Sequence, residues 1–304
     1  MRYYQYIQGG TRRVGVETES GQIADLTALN PRIGSTLDLL KTASITGSDI
    51  DSVTRGVLSI NPGPGAATIS VEEFLESAAP GKRGITLLPP IDAPEVWAFG
   101  VTYMDSMRER QAESGSPDVY AKVYDAVRPE AFFKSTFDRL QGPFDEVGIR
   151  GDSEWNVPEP ELAFVTYGGK IVGYTAGNDM SSRTIEGENP LYLPQAKVYD
   201  KSAALGPALA TPETVGDPQK LAVTLLIERD GNEVFKGEAN TSQMKRDCAY
   251  LADWLVRHNA VPDGTTAMTG TGTIPPPEFT LAAGDVVSVT IEKIGTLSNT
   301  VVVV

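Results

Sequence analysis

The chain has 304 residues, a formal net charge of -14, one histidine and one cysteine. Its length supports a large core and two domains, and its acidic balance opposes a nucleic-acid partner, which needs clustered Lys and Arg. A lone His258 excludes three-histidine zinc sites and Cys/His fingers, and no window approaches the ~18 apolar residues of a membrane span.

No apolar stretch follows the basic residues of the start, so no export signal is expected. Cys248 has no internal disulfide partner and suits a reducing compartment. A cytoplasmic protein without a membrane partner is expected.

Over the first eighty residues, β-like runs (RYYQYI, RRVGVET, GQIADLT) alternate with helix-like IGSTLDLLKTA and SVEEFLESAA, and INPGPGAA is a turn-rich connection. This predicts a small N-terminal α+β domain over residues 1–88. The proline-rich LLPPIDAPEVW then favours an extended linker, and residues 89–304 read as a β-rich catalytic domain.

Within that domain, residues 103–128 look helical but broken at SGSP, and from 132 onward strands and turns return. The spacing of Met244, Cys248, Leu251 and Leu255 predicts a helix through SQMKRDCAYLADWLVRH. His258 falls at its end, where the helix dipole favours positive charge, and is read as a helix-end residue.

In VPEPELAFV (157–165), Glu159 and Glu161 are two residues apart, so an extended backbone puts them on one face. Pro158 and Pro160 favour that backbone. Two adjacent carboxylates must take a proton, face water on an edge strand, or hold a cation. Asp179, in GYTAGNDMSSRT, could approach from a neighbouring strand, and three carboxylates suit a hard divalent cation; a plain turn residue is the other reading.

Lys197 and Lys201 are both possible anion partners, and spacing alone does not separate them. Glu130, beside AFFK, could carry a raised pKa and exchange protons, or simply be solvated at a helix end. MTGTGTIPPP (268–277) lacks the Gly-Lys-Ser/Thr ending of a phosphate loop.

The ordered set PEPELAFV, GYTAGNDMSSR, QAKVYDKSAALGP, GEANTSQM, TGTGT and LAAGDVVSVTIEKIGTLSN resembles the fumarylacetoacetate hydrolase superfamily over roughly residues 90–300. The resemblance implies an α+β, β-rich chain whose catalytic domain is a mixed β-roll. It also implies a Mg²⁺, Mn²⁺ or Ca²⁺ ion held by Glu159, Glu161 and Asp179, and a homodimer or homotetramer. The segments PEVWAFGVTY, VYDAVRPEAFFK, DSEWNVPEPELA and ENPLYLPQAKVY are similar to the branch of 2-keto-3-deoxy-D-arabinonate dehydratases.

That branch implies dehydration of a 2-oxo-3-deoxy sugar acid, with 2-dehydro-3-deoxy-D-arabinonate giving 2,5-dioxopentanoate. Its pattern makes Lys197, not Lys201, the functional lysine, which would neutralise charge near the metal or exchange protons, and Glu130, in a segment typical of the branch, is the candidate proton-transfer group at C3 or C4. Thr102, Arg108 and Thr271 are expected substrate contacts. The family's hydrolases generally pair a His with Glu in the helix after the residue matching Tyr103, but TYMDSMRERQAES has no His. This favours dehydration over the alternative, an acylpyruvate-type C–C hydrolase. Thr184 also departs from the family, where Asp commonly follows the Arg.

Overall fold

The computed structural model describes residues 1–60, 69–82, 84–113 and 117–304. The connection at 61–67 and the break at 114–116 lie outside the described residues.

The N-terminal helices begin where their sequences supply caps. Ser35 and Asp38 form a reciprocal capping box at the start of Thr36–Thr46, which stops at Gly47 in the left-handed region. Ser70 and Glu73 do the same for Val71–Ala78. Each box satisfies backbone N–H groups that the first turn leaves orphaned.

One large sheet of twelve strands organises the chain. From its N-terminal side the order is Ile69–Ser70, Gln22–Asp25, Thr11–Glu17, Arg2–Gln8, Ala203–Ala210, Lys170–Asp179, Pro160–Tyr167, Thr266–Met268, Glu95–Gly100 and Glu130–Thr136. Ile85–Leu88 pairs with Arg2–Gln8, and Leu140–Gln141 with Ala203–Ala210. A five-stranded sheet runs Asn232–Asn240, Ala222–Arg229, Val286–Ile291, Gly295–Val303 and Glu146–Ile149. The boundary proposed at residue 88 falls at the end of the Ile85–Leu88 strand, and the strands before it continue the sheet that carries the later ones.

Alternation along Pro160–Tyr167 serves both faces of that sheet. Leu162 and Phe164 pack with Leu225, Val287 and Val289 of the five-stranded sheet. Ala163 and Val165 pack with Leu39, Leu40 and Ile50 of the N-terminal helices. A strand buried on both faces reads as the continuous apolar run LAFV.

The predicted helix from 242 is shorter than its periodicity suggested: it spans Cys248–Val256. Asp247 caps it, its side chain accepting from the Tyr250 amide. Thr241–Gln243 is a 3-10 turn, and Met244 forms a bridge with Tyr103. The Asp side chain competes for the backbone and starts the helix there. His258 lies just beyond its end, exposed and at positive φ.

Candidate metal centre and active site

The strands Pro160–Tyr167 and Lys170–Asp179 form a hairpin around Gly168 and Gly169, both at positive φ. Glycine adopts that conformation without a Cβ penalty. The register slips by one residue between Val165 and Thr166. Above this bulge Pro160 faces Asn178 and Glu161 faces Gly177, and the Asp179 amide donates to the Glu159 carbonyl at 3.0 Å.

The bulge decides the chemistry. Without it Glu159 would oppose Asn178, and Asp179 would project to the other face, because side chains alternate with period two. With it, Glu159, Glu161 and Asp179 present carboxylate oxygens within 4.8 Å of one another. All three are buried, in an interior strand pair rather than on an edge.

Burial of three acids needs compensating charge. Lys197, at the end of the short Leu193–Lys197 helix, donates to Glu159 Oε2 at 2.8 Å, Asp179 Oδ2 at 3.2 Å and Ser181 Oγ at 2.6 Å. Arg183 meets Glu159 Oε1 at 3.0 Å and Glu186 at 3.6 Å. Glu186 thus supplies the guanidinium with an acid partner three residues on, while the Thr184 hydroxyl accepts the Trp155 amide at 2.9 Å.

Lys134 is the residue that sequence reasoning missed. Fully buried, its ammonium pairs with Asp179 Oδ1 and donates to the carbonyls of Met180 at 2.8 Å and Lys197 at 2.5 Å. It therefore ties one carboxylate of the triad to the backbone that carries Lys197. Burial pushes its pKa down, opposed by Asp179. Glu130 and Phe132, two residues apart on Glu130–Thr136, line the cavity, and Lys134 is the extra residue where the pairing with Glu95–Gly100 shifts register, so simple strand alternation carries no signal for it.

Glu161 differs from its neighbours. Among the described residues no cation pairs with it, and its Oε2 accepts the Gly270 amide at 2.5 Å. Its pKa is raised well above the ordinary carboxyl value, first by burial and then by the charges of Asp179 and Glu159.

Gly270 reaches Glu161 because it sits at φ +91, where a Cβ would lie 2.0 Å from Thr102 Oγ1. Thr102 is fully buried and donates to the Thr269 carbonyl at 2.6 Å. It fastens the TGTGT turn, and its hydroxyl is engaged there.

Of the predicted residues, Glu130, Lys197, Glu159 and Thr271 line one cavity, with Ser106, Glu186, Leu193 and Gly270. Glu130 enters from the first position of its strand, opposite Gly100. A Cβ at residue 100 would lie 2.1 Å from Glu130 Oε2, so the carboxylate occupies space that only glycine leaves open. Thr271 is buried and donates to the Thr273 carbonyl at 2.9 Å. Arg108 is exposed on the Met104–Glu113 helix and is not among the described residues that line the cavity. Lys201 lies at the surface, paired with Glu146 at 2.5 Å.

The chain is similar to proteins of known family. The family model described as fumarylacetoacetate (FAA) hydrolase C-terminal matches residues 95–302. A protein of Haloferax volcanii named as a probable 2-keto-3-deoxyxylonate dehydratase is 46% identical over 304 residues, covering 100% of both chains. The 2-dehydro-3-deoxy-D-arabinonate dehydratase of Saccharolobus solfataricus is 45% identical over 219 residues, 70% of this chain and 73% of that one. A solved structure of a 2-keto-3-deoxy-D-arabinonate dehydratase complexed with magnesium and 2,5-dioxopentanoate is 34% identical, with a TM-score of 0.79 over 100% of this chain and 99% of that one. With a family model spanning most of its length and a relative matched end to end, the chain belongs to the fumarylacetoacetate hydrolase family.

Proposed function

We propose that the protein is a metal-dependent hydro-lyase that dehydrates a 2-oxo-3-deoxy sugar acid, with 2-dehydro-3-deoxy-D-arabinonate yielding 2,5-dioxopentanoate and water. The observation that carries this reading is the buried acid triad, whose Glu159 lines one cavity with Glu130 and Lys197. The named relatives and the magnesium-bound neighbour support it from outside the chain.

The donor set fits a divalent ion. Three carboxylates offer hard oxygen ligands, and Glu161 is a buried acid that no cation pairs with among the described residues. Glu159, Glu161 and Asp179 would hold Mg²⁺, with Mn²⁺ or Ca²⁺ as substitutes. The ion supplies Lewis acidity, worth several kcal/mol where charge develops on a substrate carbonyl.

The remaining work falls to the chain. Glu130 accepts a proton from C3, and the C4 hydroxyl leaves as water once protonated. Loss of a proton from C5 and its return at C3 then give an enol across C4 and C5, and transfer of the enol hydroxyl proton to C4 yields the aldehyde. Lys197 serves as a cation, since its ammonium already donates to three oxygens, and it offsets negative charge on the reacting acid. A positioned acid-base group of this kind contributes ~10²–10⁴ in rate. Thr271 is proposed as a substrate contact from the cavity wall, while Thr102 acts behind it. Arg108 is proposed as a contact only by resemblance.

A homodimer or homotetramer in the cytoplasm completes the proposal, the first from the family and the second from a single, buried cysteine. Among the described residues no helix is long and apolar enough to cross a membrane.

The test offers purified protein with Mg²⁺ a 2-oxo-3-deoxypentonate and an acylpyruvate. Formation of 2,5-dioxopentanoate supports the dehydratase; cleavage of the acylpyruvate alone assigns the site to the hydrolases instead.

A further inference from the structure

The antiparallel strands Glu95–Gly100 and Glu130–Thr136 are joined by residues 101–129, far more than the roughly two to five residues usual in a hairpin loop. This excursion leaves and returns at the cavity wall. Gly100, Val101 and Ser106 line the cavity on departure, and Glu130 lines it on return. Whatever fixes its two ends therefore fixes Ser106 and Glu130.

Both ends are held by one short segment. At the departing end Met244 bridges Tyr103, and the Lys245 amide donates to the Thr102 carbonyl at 2.9 Å. At the returning end the buried Arg246 guanidinium donates to the carbonyls of Val123 and Tyr124 at 3.1 Å each, and to that of Ala126. Lys245 pairs with Asp125 at 2.7 Å, and the Tyr250 hydroxyl donates to the Val127 carbonyl. A cation on the last carbonyls of the Pro117–Asp125 helix satisfies groups the helix leaves orphaned and complements its dipole.

We propose that Arg246 is a positioning residue that closes the base of the 101–129 excursion and so sets the place of Glu130 in the cavity. It touches neither the acid triad nor Lys197. Its effect is transmitted along four residues of chain, from the carbonyl of Ala126 to Glu130. The role in turnover rests on the dehydratase reading; the role in ordering the excursion does not.

The test compares Arg246→Gln, Arg246→Lys and wild type in the intact protein. Amide hydrogen exchange at residues 101–107 and 121–130 is expected to be about tenfold faster in the Gln variant, intermediate in the Lys variant, and unchanged in the 160–179 hairpin. With Mg²⁺ and the 2-oxo-3-deoxy acid, kcat/KM is expected to fall by about 10- to 100-fold, while the Mg²⁺ Kd stays at the wild-type value. Unchanged exchange at 121–130, or acceleration spread equally over the whole chain, overturns the proposal. If the Gln variant does not fold, Tyr250→Phe repeats the exchange experiment: faster exchange at 123–130 supports the clamp, and wild-type exchange there refutes it. A wild type inactive on every 2-oxo-3-deoxy acid, with exchange in the Gln variant loosened only at the excursion, ends the dehydratase reading and supports the clamp.

Discussion

Replacing Glu161 by Gln removes one charge from the triad and keeps an oxygen that can accept the Gly270 amide. Two carboxylates with oxygens within 4.8 Å of one another repel by at least about 3.5 kcal/mol at an effective dielectric near 20. Lys197 offsets part of this, so a net gain of about 1–3 kcal/mol is expected for the metal-free variant wherever wild-type Glu161 is ionised. The sign follows from the raised pKa of the folded carboxyl. The wild-type side chain is most compatible with folding below its unfolded pKa, and that stability is lost as pH rises through the folded value. The advantage of the variant therefore opens with rising pH and vanishes in acid.

Magnesium acts oppositely. At about 100 times Kd it should stabilise wild type by ~2.7 kcal/mol, and the variant far less, since one ligand is gone. Urea denaturation from pH 5 to 8, with chelator or with Mg²⁺, reads both effects. A variant less stable than wild type in chelator at every pH, or equal stabilisation of both by Mg²⁺, would refute the reasoning.

Glu130→Gln should lower kcat by ~10²–10⁴ while calorimetry shows the wild-type Mg²⁺ Kd, because Glu130 is not one of the clustered ligands. Lys197→Met leaves Glu159 and Asp179 without one of their buried cations, and should cost about 3–5 kcal/mol in denaturant titrations as well as activity. Gly100→Ala places a Cβ 2.1 Å from Glu130 Oε2; displacement of that carboxylate should reduce kcat by about 10²-fold without altering any titratable group, as steady-state kinetics would show.

The chain announced its strands and its acid pair through local rules. Alternation and flanking prolines placed Glu159 and Glu161 on one face, and Asp179 was recognisable as a carboxylate that a neighbouring strand could bring in. What brought it in was not legible: the parity depends on one bulge at Val165/Thr166, and the turn residues alone predict the opposite face. Lys134 was hidden because a lysine in a strand ordinarily faces water, and only the partners on two other segments make its burial tolerable. Thr102 was legible as a residue near the site but not as a buried hydroxyl serving the Thr269 carbonyl. The helix from 242 was overextended because apolar spacing continues through Met244, whereas Asp247 captures the helix start. The N-terminal segment read as a separate unit from its own alternation, but the pairing of Arg2–Gln8 with Ala203–Ala210 is a contact between distant residues that no local pattern records.

The most direct test of the account is product analysis on 2-dehydro-3-deoxy-D-arabinonate with and without a chelator. With Mg²⁺ the expected product is 2,5-dioxopentanoate, lost on chelation and restored by added Mg²⁺. Turnover indifferent to the chelator, or no consumption of this acid or any related 2-oxo-3-deoxy acid in the presence of Mg²⁺, would contradict it.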